Sequence, residues 1–285
     1  MIDKICIITG HFPPQHSAVG DYVLRLSEAL VDNGAQVCVL TSISARETVI
    51  KEGVKVFAVT NRWGARGVWQ IIKILRQVKP RVVSLQYTPQ MYNRYGIALA
   101  VALLPLVIRF ILKLPVITTC HEFISPSPRT FKAAFLQVFY VMQTFLILLG
   151  SCRVVVPVER HIEILETYYR PLARKARLIP VGSNIPVCTI NNQISARENI
   201  SRQENWTITT LGTGHLWWNY EFALRVTSLI RQKGYNIRLV CIGGIEKTNP
   251  SYFVTLRSLA ERLGLNKCVT WTGYRAAEDL SLIHI

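Results

Sequence analysis

"PPQHSAVGDYVLRLSEALVDNGAQVCVL", residues 13–40, decides the fold. A Pro-Pro loop runs to Gly20. After it, Tyr22, Leu26, Ala29 and Leu30 fall on one face at helical spacing. Asn33-Gly34 ends that run as a helix C-terminus does. "QVCVL" (36–40) then reads as a strand, and "KICIIT" (4–9) as the strand before the loop. Both are apolar without alternation, the mark of parallel strands buried on both faces.

The same rhythm continues outward. Strands are expected at 55–58, 81–86, 116–120, 153–157 and 177–180, and helices at 21–33, 68–78, 95–112, 131–149 and 160–168. This is a doubly wound α/β pattern. Residues 185–205 are polar and weakly patterned, and read as a linker. The rhythm then restarts with a strand at 206–211, the loop "GTGHLWWN", and a helix at 220–232. A strand at 237–242 meets Gly243-Gly244, followed by a helix at 251–263, a strand at 268–272 and a helix beginning at 276. The expected domains are a Rossmann-like unit over 1–185, a linker over 186–205 and a partial second Rossmann-like unit over 206–285. A three-stranded second sheet leaves an open edge, so the chain reads as cut short there.

Composition bounds the function. Of 285 residues, 50% are hydrophobic and 18% charged, enough for a real core. Lys and Arg number 33 against 17 Asp and Glu, a formal charge of +16. That surplus fits phosphate groups, nucleic acid or an acidic membrane face, or simply a basic surface. The seven Cys show no C-x-x-C pair, so neither a zinc site nor a disulfide framework is indicated. The first strand starts at Lys4, too early for a cleavable signal, and a cytoplasmic location is expected. Two apolar stretches, 97–116 and 131–150, are interrupted by Pro105, Arg109, Lys113, Lys132 and Gln143. They read as helices covering a sheet, or as helices lying in a membrane plane.

Candidate site residues fall at strand ends, where open α/β sheets bind ligands. Gly20 precedes a helix N-terminus, which favours anions through its dipole and unpaired amides. A plain βα turn is the alternative, since G-x-G-x-x-G and a Walker lysine are both missing. His121 in "TTCHEF" stands just past a strand, placed to donate to a hydroxyl or phosphate, or to cap the next segment. Cys120-His121-Glu122 lacks metal-ligand spacing, so no metal site is expected. Gln86 and Tyr87 end another strand and suit an acceptor pocket or an ordinary turn. Gly182 in "IPVGSNIP" marks a turn before the linker.

In order and spacing, these pieces resemble a known family. The Pro-Pro loop ending in "VGDY", then "LQYTP", "TCHE", "IPVGSNIP", "LGTGHLWWNYEFAL", "LVCIGG" and "VTWTGY" look like the retaining glycosyltransferases of family four, with the GT-B fold. The resemblance spans nearly the whole chain. It implies an acceptor-binding first lobe, a second lobe for a nucleotide-diphosphate sugar, and chemistry in the cleft between them. Carried onto this sequence, Gly20 sits beside the donor diphosphate, and His121, the catalytic residue, contacts the transferring sugar. The loop with Gly212, Gly214 and His215, and the Gly243-Gly244 turn, line the nucleotide side. No cofactor is implied, the nucleotide sugar being a substrate.

The sequence also departs from the family pattern. Ala18-Val19-Gly20 replaces a glycine pair, and Trp218 stands where the family carries a cation for the diphosphate. The family's Glu-x7-Glu segment would follow residue 285. The expected function is transfer of a sugar from a nucleotide-diphosphate sugar to a glycan or lipid-linked acceptor, in polysaccharide or other cell-surface glycan synthesis. The alternative is a non-catalytic GT-B relative acting as a partner or membrane-docking subunit. Peripheral contact with the anionic inner face of the membrane is part of the expectation. A nucleic-acid partner is not, because "YYRPLARKAR" (168–177) has no binding module around it. A nicotinamide dehydrogenase is weaker still without the dinucleotide fingerprint.

Overall fold

Alternate residues of β1 (Lys4–Ile8) enter two different cores, which is why the strand reads as an unbroken apolar run. Cys6 and Ile8 point into one core and Ile7 into the other. The next strand, β2 (Gln36–Thr41), divides the same way, Cys38 and Leu40 against Val37 and Val39. The two strands pair in parallel with Ile7 beside Val39. Each fully buried Ile or Leu here contributes about 1.5–3 kcal/mol.

The structure is a computed structural model that describes residues 3–15, 17–42, 52–93, 95–122, 131–183, 206–212 and 218–275. The chain divides into two compact units, Met1–Gly182 and Ser183–Ile285. In the first, β3 (Val54–Ala58), β4 (Val82–Tyr87), β5 (Val116–Cys120), β6 (Arg153–Val156) and β7 (Ala176–Leu178) join β1 and β2. They form a seven-stranded parallel sheet ordered β3-β2-β1-β4-β5-β6-β7. One face is covered by α1 (Ala18–Asp32), whose Val23, Tyr22, Leu26 and Leu30 pack on the Ile7 core. The other face carries α2 (Ala65–Val78), a short α3 (Pro89–Tyr92), α4 (Leu99–Phe110), α5 (Phe131–Gly150), α6 (Glu159–Tyr168) and a short α7 (Arg170–Ala173). The doubly wound reading of the first unit holds.

Helix starts differ from the sequence reading for local reasons. The first helix begins at Ala18, not 21, because Ser17 is its N-cap and its Oγ accepts from the Gly20 amide at 3.4 Å. Gly20 therefore lies inside the first turn. The fourth begins at Leu99, not 95, after Gly96 turns the chain at φ +70°. The two apolar stretches fold as α4 and α5, which pack on each other and on the sheet. At their crossing the absent side chain of Gly150 makes room for the backbone of Pro105 and Leu106. A Cβ there would lie 2.7 Å from the Pro105 carbonyl carbon. Among the described residues no helix is long and apolar enough to cross a membrane.

The second unit holds β8 (Trp206–Leu211), α8 (Tyr220–Gln232), β9 (Ile237–Ile242), α9 (Ile245–Thr248), α10 (Pro250–Arg262) and β10 (Val269–Trp271). Its parallel sheet has the order β10-β9-β8. Helices α8 and α10 touch each other and share one core with Leu239 and Cys241. Strand β9 accordingly alternates, with Ile237, Leu239 and Cys241 buried between half-buried neighbours. The expected linker and the helix start at 276 lie outside the described residues.

Candidate functional site

The carboxyl ends of β1, β4 and β5 bring His121 beside Gln86 and α1. The β4–β5 register pairs Gln86 with Thr119, which sets His121 two residues further on the same face. Its backbone extends the ladder through His121 N–H donating to Tyr87 O at 3.0 Å. Gln86 is fully buried. Its Nε2 donates to Ser84 Oγ at 2.9 Å and to Thr119 Oγ1 at 3.5 Å, which turns Oε1 toward His121. His121 Nε2 sits 2.9 Å from that oxygen and so carries the proton that it donates. The Tyr22 ring of α1 stands edge-on to the imidazole, centroids 5.1 Å apart.

Burial pulls the His121 pKa down to about 4, so the ring is neutral at physiological pH. With Nε2–H held by Gln86, Nδ1 is the acceptor of the ring. A neutral imidazole in this state receives a hydrogen bond from a hydroxyl and carries no charge to a phosphate.

The loop from β1 to α1 is pinned from several sides. Thr9 Oγ1 donates to His11 O at 2.9 Å. His11 Nδ1 lies 3.3 Å from Ser17 Oγ, and burial lowers the His11 pKa as well. A Cβ on Gly20 would meet Phe12 Cα at 3.3 Å and His11 O at 3.4 Å. The chain's own loop occupies the space beside the glycine, and Ser17 takes its amide. Gly10 packs more tightly still on α3, where a Cβ would meet Met91 O at 2.8 Å.

A cavity of about 340 Å³ opens beside this loop, lined by His11, Gln15, Ser42, Asn61 and Gln90 with Trp63. Among the described residues no Lys, Arg, Asp or Glu lines it. Uncharged donors and acceptors around an indole suit a neutral, hydroxyl-rich ligand better than an anion. A larger cavity of about 1050 Å³, lined by Arg170, Arg174 and Arg177 among others, lies at the amino end of β7, away from the predicted residues.

Gln86 and Tyr87, expected together at an acceptor pocket, are both buried and absent from the lining of the 340 Å³ cavity. Gln86 holds His121. Tyr87 turns to the opposite face, where its ring stacks on Tyr92 at 6.2 Å and burial raises its pKa. Ser17, His11, Asn61 and Trp63 escaped the sequence reading. Only Ser17 carried a signal, as a cap residue three positions before Gly20.

In the second unit, the loops after β8, β9 and β10 crowd together at the strand carboxyl ends. Gly212 N–H donates to Ile242 O at 3.0 Å, and Gly243 N–H to Gly273 O at 3.0 Å. Gly243 has φ +136°, and a Cβ on it would overlap Gly212 O. A Cβ on Gly212 would lie 2.8 Å from Trp218 Cγ, so the indole rests on the glycine while staying 44% exposed. Gly244 is different: it opens α9, and a Cβ would meet nothing nearer than Tyr274 Cβ, at 3.8 Å. Gly214 and His215 lie outside the described residues. Among the described residues no group of three or more His, Cys, Asp or Glu could hold a metal ion.

The sequence model of Glycosyltransferase Family 4 matches residues 19–185, more than half of the chain. No curated protein matches significantly. Solved structures share the fold. Sucrose-phosphate synthase from Thermosynechococcus elongatus superposes with a TM-score of 0.71 at 16% identity, over 99% of this chain and 73% of its own. HepE from Anabaena, solved with UDP and glucose, gives 0.63 at 14% identity, over 96% of this chain and 70% of its own. A glycosyltransferase from Rickettsia africae gives 0.65 at 14% identity, over 99% and 70%.

Proposed function

The chain belongs to Glycosyltransferase Family 4, and we propose that it transfers a sugar from a nucleotide-diphosphate sugar to a hydroxyl of a glycan or lipid-linked acceptor, with retention of anomeric configuration. In this reading the acceptor oxygen bonds to the anomeric carbon as the bond from that carbon to the diphosphate breaks. The leaving diphosphate takes the electron pair, and the acceptor proton follows it. The chain's part is to hold both reactants and stabilise the charge that develops on the leaving group. No cofactor takes part.

One observation carries the reading: a neutral His121, its Nε2 fixed by Gln86, stands at the strand carboxyl ends within the matched segment. Nδ1 is suited to accept from a hydroxyl of the transferring sugar. The 340 Å³ cavity, lined among the described residues by uncharged groups, supports a neutral glycan end as acceptor. Donor contacts are assigned to the positive end of α1, where Gly20 lies with its own amide taken by Ser17, and to the loops of Gly212, Gly214 and His215 and of Gly243 and Gly244. Synthesis of polysaccharide or another cell-surface glycan, in the cytoplasm at the inner membrane face, is the proposed setting.

The full chain is assayed for nucleotide release from a panel of nucleotide sugars. UDP-glucose comes first, since HepE was solved with UDP and glucose. Release should exceed background, and His121→Ala should lower kcat by about tenfold or more with KM for the donor little changed. An unchanged kcat makes His121 structural; no nucleotide binding by the wild type removes the proposal. Trp218, exposed on Gly212 in place of a cation, favours one second reading, a non-catalytic partner subunit. Nucleotide binding without turnover is its signature.

A further inference from the structure

Charge along the chain is strongly uneven. Between residues 53 and 158 there are thirteen Lys and Arg but only one acid, Glu122. Within that segment fall α2, α4 and α5, which carry no Asp or Glu at all and lie side by side on one face of the sheet. On the opposite face, α1 carries Asp21, Glu28 and Asp32. Acids return to that face only with α6, beyond α5 at the sheet edge, where Glu159, Glu163 and Glu166 stand, so the acid-free surface is the part built by α2, α4 and α5.

Its outer surface combines cations with apolar groups that the described structure leaves uncovered. On α2, Arg66, Trp69, Lys73 and Arg76 follow one another at helical spacing, and all four are exposed, Trp69 at 61%. On α5, Phe135, Val138, Met142, Phe145 and Leu149 form an exposed stripe over about four turns, Phe135 at 62%. On α4, Leu103 and Phe110 are exposed as well, with the Arg109 guanidinium 5.3 Å above the Phe110 ring. At the C-terminal end of α5, Lys175 Nζ donates to Leu148 O at 2.7 Å, and Arg109 donates to Ser151 O at 3.3 Å. Cations therefore border the apolar stripe.

We propose that the α2–α4–α5 face is a docking surface for an anionic lipid bilayer. Apolar side chains of this length enter the boundary between headgroups and acyl chains, while the Lys and Arg stay with lipid phosphates. Trp69 sits where an indole prefers the interface. Two other occupants fit less well. A second copy would set two acid-free basic faces against each other, and nucleic acid offers phosphate but nothing for the Phe135–Leu149 stripe. The inference deepens the proposed action on a lipid-linked acceptor, yet its test reads binding and not turnover, so either can fail alone.

The test is sedimentation of the full chain with vesicles of phosphatidylglycerol and phosphatidylcholine, and with phosphatidylcholine alone. Binding should require the anionic lipid and weaken as salt rises. Two double variants probe the face: Val138→Ser with Phe145→Ser, and Arg66→Glu with Lys73→Glu. Each should weaken binding by about tenfold or more while leaving circular dichroism unchanged. Arg225→Glu with Lys233→Glu moves the same charge in the second unit and should weaken binding much less. A readout without disruptive substitution is quenching by brominated lipids, which Trp69→Phe should reduce. The proposal is overturned if both charge variants act equally, if neutral vesicles bind as well, or if lipid contact leaves Trp69 unquenched. It is also overturned if the chain dimerises through this face without lipid, or if single-stranded nucleic acid binds there more tightly than the vesicles.

Discussion

His121 lost its charge to burial, and that has a thermodynamic consequence. Its pKa falls from near 6.5 to about 4 in the folded chain. Between those values the unfolded chain binds the proton and the folded chain does not, so stability rises with pH across that window. The stabilisation is complete above about 6.5 and is lost as pH falls toward 4. Urea midpoints at pH 7 and pH 5 should therefore drop more for the wild type than for His121→Asn. His11 and His161, also lowered by burial, contribute to both proteins and cancel in the comparison. Equal drops would mean that the imidazole is protonated in the fold and that its proposed acceptor role is void. Position follows from strand ends and was legible in "TTCHEF". The Gln86 partnership was not, because it arises from the register between β4 and β5, which a single sequence does not display.

Elements were legible where apolar runs are long and bounded by glycine or proline. Strands β1, β2, β5 and β8 and helices α2, α5 and α8 lie within about three residues of the positions their sequences predict. Short helices such as α3 and α7 were not seen, since four residues make too little periodicity. The start of α4 was misplaced for a reason that Gln143 explains. In the sequence this residue merely interrupts an apolar stretch. In the fold its side chain is buried and bonds both ends of the turn before α4: Oε1 accepts from Ala98 N–H, and Nε2 donates to Gly96 O at 3.0 Å. A polar group in an apolar helix is thus a clamp on its neighbour. Gln143→Leu keeps the volume and leaves two buried backbone groups unpaired, so it should cost about 2–4 kcal/mol. Chemical denaturation of the variant checks this. A loss below about 0.5 kcal/mol would show that water satisfies both groups as well as the amide does.

At the scale of the molecule, two units with separate cores make the chain a poor two-state folder. The first, Met1–Gly182, packs both faces of a seven-stranded sheet. The second, Ser183–Ile285, has one smaller core that among the described residues shares none with the others. A smaller unit buries a smaller fraction of its surface and is correspondingly marginal. Probes report the two unequally. Four of the six Trp, at 206, 217, 218 and 271, belong to the second unit. Of these, Trp271 packs edge-on against Phe253, centroids 5.3 Å apart, where emission senses core packing. Most helix and strand lies in the first unit, so far-ultraviolet circular dichroism follows it. Urea unfolding read by Trp emission should therefore show a lower midpoint than the same samples read by dichroism, and neither curve should fit a single transition for the whole chain. Coincident curves would mean that the units unfold as one and that stability is shared across residue 183. A substitution such as His121→Ala should then shift both probes together. With independent units it should move the dichroism curve and leave the fluorescence transition of the second unit in place.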